Sequence, residues 1–269
     1  MKNFDINNLV RENVKVLKPY SSARDEFEDF DTADMIFLDA NENPFENGVN
    51  RYPDPQQMSV KGILAKQRNV KTNQILLGNG SDEIIDICIR IFCRPGIDSV
   101  LLLSPTYGMY EVSASIHDVG VEKCLLNNDF QIDFDLLKDT IEKLNPKIIF
   151  VCSPNNPTGN SFKHNEMIEL INAFDGIVVL DEAYIDFSSQ PSLLAYLHKL
   201  PNLVILQTFS KAWALAGLRL GMAFASPEII AILNKIKYPY NINILTQEKV
   251  LEMNEYNLPF YHTRRRTIH

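Results

Sequence analysis

The sequence predicts an α/β protein built on a mostly parallel sheet with helices on both faces. Three observations predict it. Apolar, β-branched runs such as Ile148-Ile149-Phe150-Val151 and Ile177-Val178-Val179-Leu180 are continuous rather than alternating, as in strands buried on both faces. These runs alternate with helix-length amphipathic segments, the pattern of parallel strands joined by crossover helices. Each run also ends in a cluster of glycine, proline and polar residues, and ligands of open α/β sheets bind beyond the carboxyl ends of the strands.

Along the chain, a short helix is expected over Arg11 to Val16, followed by the turn at Pro19-Tyr20. An extended segment, Met35 to Asp39, opens into the turn-rich stretch Asn41-Glu42-Asn43-Pro44. A helix around Met58 to Arg68 precedes a short strand at Ile75 to Leu77 and a helix from Ser81 to Phe92. Strands then follow at Ser99–Leu103, Val121–Leu125, Lys147–Cys152, Ile177–Leu180 and Leu203–Leu206. The first four of these are separated by helices at Tyr107–Ile116, Asp135–Leu144 and Asn165–Asn172.

Composition narrows the function. The 269 residues are 45% hydrophobic and 22% charged, enough for a sizeable core. A net charge of -8 argues against a nucleic-acid or anionic-membrane surface, and no apolar run approaches membrane-spanning length. Four cysteines lie within apolar runs without metal-ligand spacing, which predicts buried free thiols, a reducing cytoplasm and no metal site. Arg264-Arg265-Arg266 reads as a solvated tail.

The strand ends carry the chemistry. Lys211, in Thr208-Phe209-Ser210-Lys211, follows a buried strand and suits a Schiff base with an aldehyde cofactor, though a solvated strand-end lysine has the same pattern. Gly80-Ser81-Asp82 opens a helix whose free N–H groups suit an anion, or is simply a capped helix start. Tyr107 offers a ring to stack on a heterocycle, or to pack in the core. Ser153-Pro154-Asn155-Asn156-Pro157-Thr158-Gly159 is too constrained for a mere turn, and Asn156 can donate into a site. Asp181 would need a cation if buried; a protonated pyridine nitrogen is one, and capping a turn is the other reading. Tyr184 can reach the same ring, and Arg219 can clamp a phosphate or form a surface ion pair.

Taken together these segments resemble the fold-type I, pyridoxal-phosphate-dependent aminotransferases. Asp39-Ala40-Asn41-Glu42-Asn43-Pro44, Asn50-Arg51-Tyr52-Pro53 and Pro105-Thr106-Tyr107-Gly108-Met109-Tyr110 make the likeness narrower, to the histidinol-phosphate aminotransferases. The resemblance implies pyridoxal 5'-phosphate bound to Lys211, with Asp181 on the ring nitrogen. Asn156 and Tyr184 would bond the ring oxygen, and Tyr107 would stack on the ring. Gly80, Ser81, Asp82, Ser210 and Arg219 would hold the phosphate. Tyr52 would enter the neighbouring subunit's site of a homodimer, with Tyr20 and Asn41 on the substrate side. Histidinol phosphate and glutamate or 2-oxoglutarate would be the substrates. A related amino-acid-phosphate decarboxylase and a non-catalytic cofactor-binding remnant are the alternatives.

The resemblance also divides the chain into an N-terminal arm (1–40), a large cofactor-binding domain (41–240) and the start of a connecting helix (241–269). The family's C-terminal subdomain, with the arginine that clamps the substrate α-carboxylate, has no counterpart after Asn241. A C-terminally truncated family member, binding the cofactor weakly and transaminating poorly, is therefore the expectation.

Overall fold

The computed structural model describes residues 4–20, 38 and 40–255, with side chains to residue 253. The expected segment Met35 to Asp39, apart from Leu38, and the basic run Arg264 to Arg266 lie outside the described residues.

Among the described residues seven strands form one sheet: β1 (Ile75–Asn79), β2 (Ser99–Ser104), β3 (Gly120–Leu125), β4 (Ile148–Cys152), β5 (Ile177–Asp181), β6 (Leu203–Thr208) and β7 (Leu220–Phe224). Their order is β1-β7-β6-β5-β4-β2-β3. All neighbours are parallel except at β7, which runs antiparallel to both β1 and β6.

The helices are α1 (Glu12–Lys15), α2 (Met58–Arg68), α3 (Gly80–Phe92), α4 (Met109–Ile116), α5 (Phe134–Leu144), α6 (His164–Ala173), α7 (Pro227–Ile236) and α8 (Ile244–Glu255). Successive strand residues point to opposite faces, so each strand feeds two cores. In β5, Ile177 and Val179 join a cluster with α3, α4 and α7, while Val178 and Leu180 join one with α2, α5 and α6. The two-layer cover explains why these runs are uniformly apolar.

The strand and helix expectations hold to within two residues at each end, but two elements of the sheet region were not expected. Leu220-Gly221-Met222-Ala223-Phe224 forms β7, and α7 follows it with Ser226 accepting the N–H of Ile229 and Pro227 in the first turn. Because β7 is antiparallel, its first residue lies at the carboxyl edge of its neighbours. That direction brings Arg219 to the edge where Gly80 and Lys211 also lie, and Gly80 N–H donates to the Arg219 carbonyl at 2.6 Å.

Candidate active site

A cavity of about 180 Å³ opens at the carboxyl edge of the sheet. The last residues of β4, β5 and β6 contribute to its wall, with the segments that follow β1 and β2 and the residue that precedes β7. Gly80, Ser81 and Asp82 enter from the start of α3, and Tyr107 from the turn before α4. Asn156 reaches it from the loop after β4, Asp181 and Tyr184 from the end of β5, and Ser210, Lys211 and Arg219 from the β6–β7 connection. Tyr20, Asn41 and Tyr52 do not line it. Tyr20 is exposed, and Asn41 and Tyr52 border a separate surface groove in which Tyr52 stacks on Tyr240 at 4.4 Å between ring centroids.

One end of the cavity is cationic and rich in donors. Gly80 has φ +74, a left-handed conformation that favours glycine, and the turn passes under the guanidinium, with Arg219 Nη2 2.7 Å from where a Cβ would stand. Gly221 is equally constrained, since its Cβ would meet Ser81 N and Gly80 C at 2.3 Å. Arg219 Nη2 lies 3.8 Å from Asp82 Oδ2. The Thr208 and Ser210 hydroxyls are 3.0 Å apart, and Ser210 N–H donates to Thr208 Oγ1 at 3.1 Å. Free N–H groups at the start of α3 face the same place, a combination that suits a phosphate.

The other end is a buried carboxylate. Asp181 is 3% exposed, and its two oxygens have one neutral donor each. Ala183 N–H donates to Oδ1 at 2.9 Å and the Tyr110 hydroxyl to Oδ2 at 2.7 Å. Burial pushes the Asp181 pKa up, against the hydrogen bonds that lower it. A cation placed against this carboxylate would relieve that cost. Lys211 lines the same cavity, with its Nζ 5.3 Å from the Tyr184 ring centroid. The Tyr107 hydroxyl donates to Asp82 Oδ1 at 3.2 Å, and its pKa is pushed up to about 12 by burial and by Asp82.

The family model for aminotransferases of class I and II matches residues 29–269. The chain belongs to the class I and II aminotransferases. It is 61% identical over 252 residues to a histidinol-phosphate aminotransferase of Flavobacterium johnsoniae, a match covering 94% of the chain and 72% of that relative. The solved histidinol-phosphate aminotransferase of Clostridium acetobutylicum superposes with a TM-score of 0.70 at 24% identity, covering 80% of the chain and 64% of that structure. A solved L-threonine-O-3-phosphate decarboxylase from Porphyromonas gingivalis gives a TM-score of 0.66 at 25% identity, covering 81% of the chain and 68% of that structure. The fold is thus common to both activities, and sequence identity is what favours the aminotransferase.

Pyridoxal phosphate is the cofactor of this aminotransferase, and the cavity fits it. An amine lines the same cavity as a phosphate-suited cradle and a buried carboxylate whose hydrogen-bond donors among the described residues are neutral. Sequence reasoning missed three residues here. Thr208 and Cys152 complete the wall, and Tyr110 lies behind Asp181. It also passed over Asn155, which is buried, ties the loop after β4 to the loop after β2 by donating to Pro105 O at 2.9 Å, and braces its own loop by donating to Thr158 Oγ1 at 2.7 Å. The one available signal for Tyr110 was its spacing, three residues after Tyr107 in the helix expected over Tyr107–Ile116.

Proposed function

We propose that this chain transfers the amino group between L-histidinol phosphate and 2-oxoglutarate, giving imidazole-acetol phosphate and L-glutamate, a step of histidine biosynthesis. Its 61% identity to a histidinol-phosphate aminotransferase supports the substrate assignment. The observation that carries the chemistry is the convergence of Lys211, Asp181 and the Gly80–Arg219 cradle on one cavity, from strands far apart in sequence.

When bound, pyridoxal phosphate supplies an aldehyde for an amine and a ring that draws electron density from the substrate Cα. Lys211 would be the point of attachment, and its Nζ would take the proton from Cα once substrate displaces it. Asp181 would hold a proton on the ring nitrogen through its carboxylate. Asn156 and Tyr184 would donate to the ring oxygen, and Tyr107 would cover the ring face. Gly80, Ser81, Asp82, Ser210 and Arg219 would form the phosphate cradle, Ser81 and Asp82 through backbone N–H groups, with the Gly80 N–H tied to the Arg219 carbonyl.

The large domain is taken as residues 41–240, preceded by an arm and followed by the connecting helix. A homodimer in the cytoplasm is part of the same reading. Tyr52 would enter the partner's site, with Asn41 and Tyr20 on the substrate side. Its support is that Tyr52 is half-exposed and lies outside the cavity of its own chain, while four buried free thiols suit a reducing compartment.

Product analysis tests the proposal. Incubation with histidinol phosphate, 2-oxoglutarate and pyridoxal phosphate should yield glutamate in step with imidazole-acetol phosphate. Carbon dioxide released from an amino-acid phosphate would replace the aminotransferase with the decarboxylase. Cofactor binding without either product would leave a non-catalytic binding protein.

A further inference from the structure

Tyr110 takes no part in the wall of the cavity, yet it is fully buried directly behind it. Its ring is stacked on Phe150 of β4, with centroids 4.7 Å apart and planes within 9°, and Tyr107 meets it edge-on at 5.5 Å. From this packed position the hydroxyl donates to Asp181 Oδ2 at 2.7 Å. The Ala183 N–H fixes the other oxygen. The two donors come from different elements, α4 and the turn after β5, so together they set the carboxylate in one orientation.

We propose that Tyr110 is a positioning residue that aims Asp181 and keeps it anionic for the protonated ring nitrogen of the cofactor. The inference rests on the reading that the cavity takes pyridoxal phosphate. A fully buried carboxylate gains a proton readily, and a hydrogen bond donated to the charged form opposes this. The other groups facing Asp181 do not replace that bond. Asp82 on α3 favours protonation and Lys211 after β6 opposes it. The Cys152 thiol on β4, itself pushed up to about 12 by burial, is neutral and donates instead to Pro154 O at 3.3 Å. Tyr107, on the α4 side, is likewise neutral and donates its hydrogen bond to Asp82.

Tyr110→Phe keeps the stacked ring and removes only the donor. Asp181 would then have to give up a proton before pairing with the ring, a cost that grows as pH falls. Pyridoxal phosphate affinity, read by absorbance titration of the full chain, should weaken about tenfold at about pH 6 and about twofold at about pH 9. In an Asp181→Asn background, where no carboxylate is left to hold, the same substitution should change affinity less than about twofold at either pH. Equal weakening at both pH values, or an undiminished effect in the Asn background, would reduce Tyr110 to a packing residue and overturn the proposal. Should the wild-type chain bind no pyridoxal phosphate at any pH, the reading of the cavity fails first and this inference with it.

Discussion

Gly221→Ala is the sharpest structural perturbation available at the phosphate end. Gly221 lies in β7, opposite Gly78 of β1 and Thr208 of β6, so strands on both sides hold it in register. An added Cβ would sit 2.3 Å from Gly80 C, 2.3 Å from Ser81 N and 2.7 Å from Gly80 O. Carbon contacts are optimal near about 3.5 to 4.0 Å, so the two closest approaches fall short by more than about 1 Å, and all three involve backbone that cannot rotate away. Overpacking of this kind costs about 1–3 kcal/mol, which lowers Tm by roughly 2–12 °C for a domain of this size. The larger consequence is local. Relief of the clash moves the Gly80–Ser81 turn away from β7, and with it the N–H groups at the start of α3 that face the cavity. Pyridoxal phosphate affinity should therefore fall by about tenfold or more, beyond what the loss of stability explains. Gly217→Ala is the control, since an added Cβ there meets nothing within 4 Å. Absorbance titration and thermal melting of the two variants read the difference. Equal affinities for Gly221→Ala and wild type would refute the argument that close approach of β7 to this turn builds the cradle.

Two further outcomes follow from burial. Asp181 has its pKa raised in the folded chain, so its ionised form works against folding above that pKa and the penalty fades as pH falls through it. Asp181→Asn should accordingly raise the Tm of the cofactor-free chain at neutral pH, by a margin that shrinks on acidification, while weakening cofactor binding; a lower Tm at neutral pH would contradict this. The thiols of Cys88, Cys93 and Cys152 are each pushed up to about 12, chiefly by burial, so they should resist iodoacetamide in the native chain at mildly alkaline pH and react once it is unfolded. Rapid alkylation of the native chain, read by mass spectrometry, would show that the core opens.

Much of this was legible in the sequence because two signals agree. Continuous β-branched runs such as Ile177–Leu180 are sufficient to mark doubly buried strands, and Lys211, Asp181, Asn156 and Gly80 are each found where such a run stops. The β7 strand was not legible for a physical reason. It is five residues long, carries a glycine at its second position and follows directly on the turn-rich lysine segment, so nothing local separates strand from loop. Its antiparallel direction, which delivers Arg219 to the site, is a tertiary fact. Yet α7 could have been found, since Ser226-Pro227-Glu228 is a helix start by cap, first-turn proline and dipole. The pair Asn155 and Asn156 illustrates a different limit. Adjacent identical side chains point apart, one tying two loops and the other lining the cavity, and only the backbone decides which. Tyr110 reads as core because it is core; its hydroxyl matters only once β5 places Asp181 against it.

The central claim is that Lys211 is where the cofactor attaches. Reductive trapping of the chain with stoichiometric pyridoxal phosphate and borohydride, followed by peptide mapping, tests it directly. The label should fall on the peptide containing Lys211, and Lys211→Ala should lose both that label and the visible absorbance band. A band and a stoichiometric label that survive Lys211→Ala would contradict the account.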